Sequence, residues 1–144
     1  MTRPPALRPG YTAERFNAFG RDFLPELIGL TIIDVGEGFL IAELPIRTAL
    51  LAPNGYLHAG SITTLADTAA GYACVAHLPD GASNFTTVEL KLNFLGSARD
   101  GLLRCETRAL HLGRTTQVWD ATVSHVGSGK VIAIFRCTQM ILRP

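Results

Sequence analysis

The sequence predicts an α+β fold in which one long helix lies against an antiparallel sheet of five or six strands. Three observations carry this. From about Gly60 to Ala76 the chain is rich in Ala and Leu, and Ile62, Leu65, Ala66, Ala69, Ala73 and Ala76 fall on one broad helical face. Beyond it the apolar period becomes two residues and stays so to the end, with glycine-containing breaks at residues 96–101, 113 and 127–129. Before it, two short apolar runs, Leu30 to Val35 and Phe39 to Leu44, flank the turn residues Gly36, Glu37 and Gly38. With a single helix of that length available, a curved sheet has to wrap it.

Taken in order, residues 1–29 form an arm and a short helix. Pro4, Pro5 and Pro9 among Arg3 and Arg8 read as a loose arm, with neither the apolar core nor the small-residue cleavage site of a signal peptide. Thr12 can cap a helix whose Phe16, Phe19 and Phe23 recur at three- and four-residue spacing and cover the body, until Pro25 disturbs the pattern. Residues 30–144 form the domain proper. Its two apolar runs predict a hairpin; Pro53-Asn54-Gly55 is a loop, and Pro79-Asp80-Gly81 ends the long helix. Four strands then follow as a meander. Val88, Leu90, Leu92 and Phe94 share one face of the first, with Thr87, Glu89, Lys91 and Asn93 on the other. Leu103 to Ala109, Trp119 to Val123 and Val131 to Cys137 mark the next three.

Composition narrows the function. The chain has 144 residues, the size of one domain, with 47% hydrophobic residues and 13 Lys+Arg against 12 Asp+Glu. That balance argues against disorder and against nucleic acid as a partner. Charge is also unevenly spread: over the thirty-two residues from Thr48 to Pro79 the sole formal charge is Asp67. Pro53, Asn54, His58 and several threonines in that stretch, and the carboxylate itself, are costly in hydrocarbon, so it is expected to be buried in protein and not in a membrane. The expected compartment is the cytoplasm. Cys74, Cys105 and Cys137 fit neither a disulfide framework nor a CxxC motif and read as small buried hydrophobes. His58, His77, His111 and His125 lack metal-ligand spacing, so no metal site is expected.

The chemically suggestive residues lie where the loop enters the long helix. Gly55-Tyr56-Leu57-His58-Ala59-Gly60, followed by Leu65-Ala66-Asp67, gives the pattern G-x-x-H-[GA]-G-x-x-x-x-L-A-D; Thr86-Thr87 and Phe94-Leu95-Gly96-Ser97-Ala98 follow downstream. This resembles the acyl-CoA thioesterases of the hotdog superfamily, in particular the PaaI-like, phenylacetate-degradation branch, over roughly Leu30 to Leu142. The resemblance implies a hotdog fold, hydrolysis of an acyl-CoA to a free acid and CoA, and no cofactor, CoA being part of the substrate. It implies Asp67 as the catalytic carboxylate, attacking the thioester directly or deprotonating a water. It also implies the backbone N–H of Ala59 as the oxyanion donor. That role suits a helix N-terminus, whose first amides, here at Ala59 and Gly60, lack intrahelical partners. His58 is expected to orient the loop or touch the thioester, and Thr87 to face the carboxylate. Where many relatives carry Asn or Gln six residues before the His, this chain has Ala52; Asn54 is the candidate substitute.

Helix rise adds a constraint. Ala59 and Asp67 are eight residues apart, about 12 Å on a helix, whereas reacting atoms meet at roughly 3 Å. Two copies of the helix, antiparallel across a two-fold axis, bring Asp67 of one level with Ala59 of the other. A homodimer with shared sites is therefore expected, alone or paired into a homotetramer. Arg99 and Arg114, in loops, are candidates for the CoA phosphates against a reading as solvated loop cations. Glu89 and Lys91 read as a surface or interface ion pair, and Trp119 as packing or dimer surface. Two alternatives remain beside hydrolysis: a hotdog enoyl-CoA hydratase or dehydratase, and a non-catalytic acyl-CoA-binding or sensing protein, the latter motivated by Ala52. Residues 1–29 are too short and too weakly basic for the DNA-binding segment that a regulator adds.

Overall fold

A computed structural model describes residues 5–144. The arm residues Arg3 and Pro4 fall outside the described residues. In chain order the elements are α1 (Ala13–Phe19), α2 (Leu24–Ile28), β1 (Thr31–Gly36), β2 (Phe39–Pro45), a 3-10 turn (Thr48–Leu50), α3 (Ala59–Ala76), β3 (Asn84–Phe94), β4 (Leu102–Leu112), β5 (Thr116–His125) and β6 (Val131–Leu142). The strands form one antiparallel sheet in the order β1-β2-β4-β5-β6-β3, which wraps α3. The expected α+β hotdog architecture is present.

Three expectations need correcting. The single N-terminal helix is two: Thr12 caps α1 through its hydroxyl, which accepts from the Arg15 amide, and α1 stops at Gly20. Pro25 then sits in the first turn of α2, where its missing N–H costs nothing, so it helps begin a helix where it was expected to disturb one. Of the aromatic stripe only Phe16 is covered (3% exposed, stacked on Tyr72 at 4.7 Å between centroids); Phe19 and Phe23 are 64% and 68% exposed. Second, β4, β5 and β6 form a meander but β3 is not part of it. It pairs with β6 at the sheet edge, while β4 crosses to β2. Third, strict alternation fails in β3. Thr87 pairs with Gln139 and Glu89 with the adjacent Thr138, so Val88 is an extra residue, a β-bulge. The bulge swaps the parity of the faces. Phe85 and Thr87 lie opposite the buried Ile141 and Gln139, and Leu90 and Leu92 opposite the buried Cys137 and Phe135, so all four share the face toward α3.

The helix explains the close wrap. Nine of its residues are buried, but only Ile62 and Leu65 among them are large; the rest are Ala66, Ala69, Ala70, Gly71, Ala73, Cys74 and Ala76. Small residues let the sheet approach the helix backbone. A Cβ on Gly71 would stand 3.0 Å from the Phe85 ring. Trp119, wholly buried, fills the space under the C-terminal half of α3 and is a packing residue. The three cysteines are free and buried, and burial pushes each thiol up to about 12, which makes them inert hydrophobes. Among the described residues no helix is long and apolar enough to cross a membrane, and no cluster of His, Cys, Asp and Glu could hold a metal ion.

Candidate active site

The charge-poor stretch contains the whole of α3 and the loop before it. Its polar side chains satisfy themselves locally: Thr63 and Thr64 donate to the carbonyls of Ala59 and Gly60, one turn back, and Ser61 donates to Leu50. Among the buried polar side-chain atoms Asp67 is the exception. Its Oδ1 is buried and has no hydrogen-bond partner among the described residues, and burial raises its pKa above the ordinary carboxylate value. Its charge, after burial, helps push the Cys137 thiol on β6 up. An unpartnered carboxylate inside a fold is expensive unless something outside the chain uses it.

At the start of α3, His58 is the N-cap. Its Nδ1 accepts from the Gly60 amide at 2.7 Å, which leaves the ring hydrogen of the neutral form on Nε2, on an exposed side chain. The Gly60 N–H, expected with that of Ala59 to face the oxyanion, is engaged by His58. The carbonyl of His58 accepts from Ser61. That leaves Ala59, exposed at the first helical position, whose N–H has no partner among the described residues. An amide here carries the partial positive charge of the helix end. The entry loop is held by a Leu51–Leu57 bridge and by the Leu57 amide donating to Ala98, which sets the segment after β3 against the helix start.

The structure does not gather every predicted residue. Asn54 stands exposed at the loop tip, where its Oδ1 accepts from the Tyr56 amide, so within one chain it does not replace the missing Asn/Gln at Ala52. Thr87 faces α3, but its hydroxyl donates to Gln139 Oε1 at 2.8 Å and not to Asp67. Arg99 lies over the Tyr56 ring, 4.2 Å from its centroid, beside the entry loop. Arg114 lies in the turn at the far end of β4, whose eleven residues span roughly 33 Å. Glu89 and Lys91 are not joined; the ion pairs among the described residues are Glu43–Arg104 and Asp120–Arg136, each across neighbouring strands. Ala59 and Asp67 lie on one unbroken helix, so their separation of about 12 Å along the axis stands. The sequence pattern does not single out Gln139. A glutamine in the apolar row Phe135, Cys137, Gln139 was the available signal.

Comparison with known proteins fits this arrangement. The family model described as the thioesterase superfamily matches residues 54–132, from the loop tip through α3 to the start of β6. The chain belongs to the thioesterase superfamily. It is 32% identical over 115 residues, 80% of its length and 92% of the relative's, to a 1,4-dihydroxy-2-naphthoyl-CoA hydrolase of Listeria monocytogenes. It is 30% identical to the Escherichia coli protein of that name over 91% of this chain and 95% of the other. Among solved structures, a mutant thioesterase of Pseudomonas aeruginosa superposes with a TM-score of 0.89 at 29% identity, covering 94% of this chain and 97% of that one. The Escherichia coli PaaI protein of the phenylacetic acid degradation operon shares the fold, with a TM-score of 0.79 at 23% identity over 89% and 90% of the two chains. As a member of this superfamily the protein is a thioester hydrolase, which separates it from the hydratase and sensor alternatives.

Proposed function

We propose that the protein hydrolyses an acyl-CoA, releasing the acid and CoA, at a site that two chains build together. The observation that carries this is Asp67, the only formal charge between Thr48 and Pro79, held with one oxygen buried and unpartnered on the helix that the sheet encloses. A raised carboxyl is a better base than an ordinary one and acts as nucleophile toward the thioester carbon or as base toward a water. The Ala59 N–H of the partner subunit receives the developing oxyanion, and His58 holds that end of the helix in shape by taking the Gly60 amide. Substrate specificity for an aryl acyl group is suggested by the dihydroxynaphthoyl-CoA hydrolases among its relatives.

Two features support dimer formation. The edge strand β3 exposes Val88, Leu90 and Phe94 beside unpaired backbone, a surface that a second β3 would cover. The 12 Å between Ala59 and Asp67 requires a second helix. Arg99, next to the entry loop, is the better placed candidate for a CoA phosphate; the protein is proposed to work in the cytoplasm, without metal or cofactor. Thiol release from benzoyl-, phenylacetyl-, hexanoyl- and palmitoyl-CoA, with wild type and Asp67→Asn, tests the reading. Turnover of at least one thioester by wild type and its loss in Asp67→Asn is the expected result; equal turnover by both proteins would remove Asp67 from the mechanism.

A further inference from the structure

One buried polar group under α3 is not explained by the fold. Gln117 and Gln139 lie in the same row of the sheet, both wholly buried. Gln117 has a structural task, donating to the His77 carbonyl at 2.7 Å and accepting from Trp119 Nε1 at 2.9 Å. Gln139 holds no backbone group. Its Nε2 reaches only the Cys137 sulfur, at 3.4 Å, and its Oε1 accepts from the Thr87 hydroxyl at 2.8 Å. Burying an amide for a contact to a thiol and one hydroxyl is costly where a Met of similar length would pack without penalty.

The register of the helix on the sheet shows what lies nearby. Gly71 packs on Phe85. The start of α3 adjoins Ala98, just past the end of β3, so the two elements run in opposite senses. One turn back along α3, about 6 Å, is Asp67; two residues along β3, about 7 Å, is Thr87 on the same inward face. Thr87 is thus the β3 side chain beneath Asp67, and Cys137 and Gln139 are its neighbours on β6. Yet Asp67 Oδ1 has no donor among the described residues, and the Thr87 hydroxyl has spent its one hydrogen on Gln139.

We propose that Gln139 is a positioning residue that holds the Thr87 hydroxyl hydrogen away from Asp67, so that the carboxylate meets its substrate without an internal donor. This rests on Asp67 being the reactive carboxylate. A donor from Thr87 would stabilise the ionised form, lower the pKa and blunt the carboxylate both as base and as nucleophile. The Thr63 and Thr64 hydroxyls, one turn before Asp67 on α3, are committed to the Ala59 and Gly60 carbonyls. The titratable groups facing α3 from the sheet are the Cys105 thiol on β4 and the Cys137 thiol on β6. The inward residues of β2, β3 and β5 are Leu40, Ala42 and Leu44, then Phe85, Thr87, Leu90 and Leu92, then Gln117, Trp119, Ala121 and Val123. On α2, Glu26 is exposed and tied to the Asp22 amide; α3 itself carries His58, Tyr72, Cys74 and His77 besides Asp67.

The test is the pH dependence of kcat/KM on the best of the four acyl-CoAs for wild type, Gln139→Met, Thr87→Val and the double variant, with Asp67→Asn assigning the acid limb. Gln139→Met frees the Thr87 hydroxyl and should move the acid limb down by about one pH unit. The double variant, with no hydroxyl to free, should return it to the wild-type position. Thr87→Val should leave the limb in place, since in the native site that hydroxyl does not reach Asp67; this arm stands even if Gln139→Met does not fold. An unmoved limb in Gln139→Met, or an upward shift in Thr87→Val, overturns the proposal alone. A wild type that hydrolyses none of the thioesters, or an acid limb that survives in Asp67→Asn, overturns the reading beneath it instead.

Discussion

The two ends of α3 treat polar groups in opposite ways. At the C-terminal end His77 is wholly buried and fully used. Its Nε2 accepts from the Gly38 amide at 2.9 Å, its Nδ1–H donates to Ala73 at 2.8 Å, and its own carbonyl accepts from Gln117, which in turn holds Trp119. In the N-terminal half, Asp67 keeps a buried oxygen without a partner and Ala59 an amide without an acceptor. One end fastens the β1–β2 turn to the helix and closes the core. The other leaves a negative and a positive group open, which is what a site for an uncharged, polarisable thioester requires. On the proposed reading, stability and reactivity are separated along a single helix.

Changes at each end should therefore fail differently. The largest effect on turnover is expected for Asp67→Asn, a loss of about 10²–10⁴-fold in kcat, read from thiol release. Ala59→Pro comes next. Proline is well tolerated at the first helical position and removes only the N–H, so the fold should persist while kcat drops about 10²–10³-fold. At the other end, His77→Ala should lower unfolding free energy by about 2–3 kcal/mol in a urea titration, since it strands the Gly38 amide and opens a cavity.

Their pH dependences should also differ in sign. Burial lowers the pKa of His77, so stability that depends on its neutral form is lost as pH falls below about 6.5, where the unfolded chain takes up the proton first. Burial raises that of Asp67, so the folded state binds more protons there and its stability falls as pH rises above the unfolded value of 3.8. Asp67→Asn should accordingly melt a few degrees higher than wild type at pH 7, with the difference closing in acid. The smallest change belongs to Arg99→Ala: a rise of about threefold in KM with little change in kcat, as expected for one exposed cation near a CoA phosphate.

Local period made most of the fold legible. The broad apolar face of residues 60–76 gave the helix nearly to the residue, and the alternation after residue 87 gave the last strands with ends up to five residues short, because burial on one side writes a period into the sequence. Features that depend on distant partners left no such trace. Nothing local in Asn84–Phe94 says that it pairs with β6 instead of β4, and the bulge at Val88, which turns Thr87 inward, looks in sequence like unbroken alternation. At the proposed site, His58, Ala59 and Asp67 could be read from the motif, and the isolation of Asp67 in an uncharged stretch from composition alone. The diversion of the Gly60 amide to His58 could not, since either a capping side chain or a substrate can use that N–H. Gln139 was visible only as a polar residue on an apolar face.

The central claim is that Asp67 of one chain works with Ala59 of the other. Hybrid dimers of Asp67→Asn and Ala59→Pro chains, isolated with two different affinity tags, test it most directly. In such a hybrid one site carries both lesions and the other neither, so about half of the wild-type activity should return although each parent is nearly inactive. If both groups of a site came from one chain, every site in the hybrid would carry a lesion. Activity no greater than that of the parents would contradict the shared site.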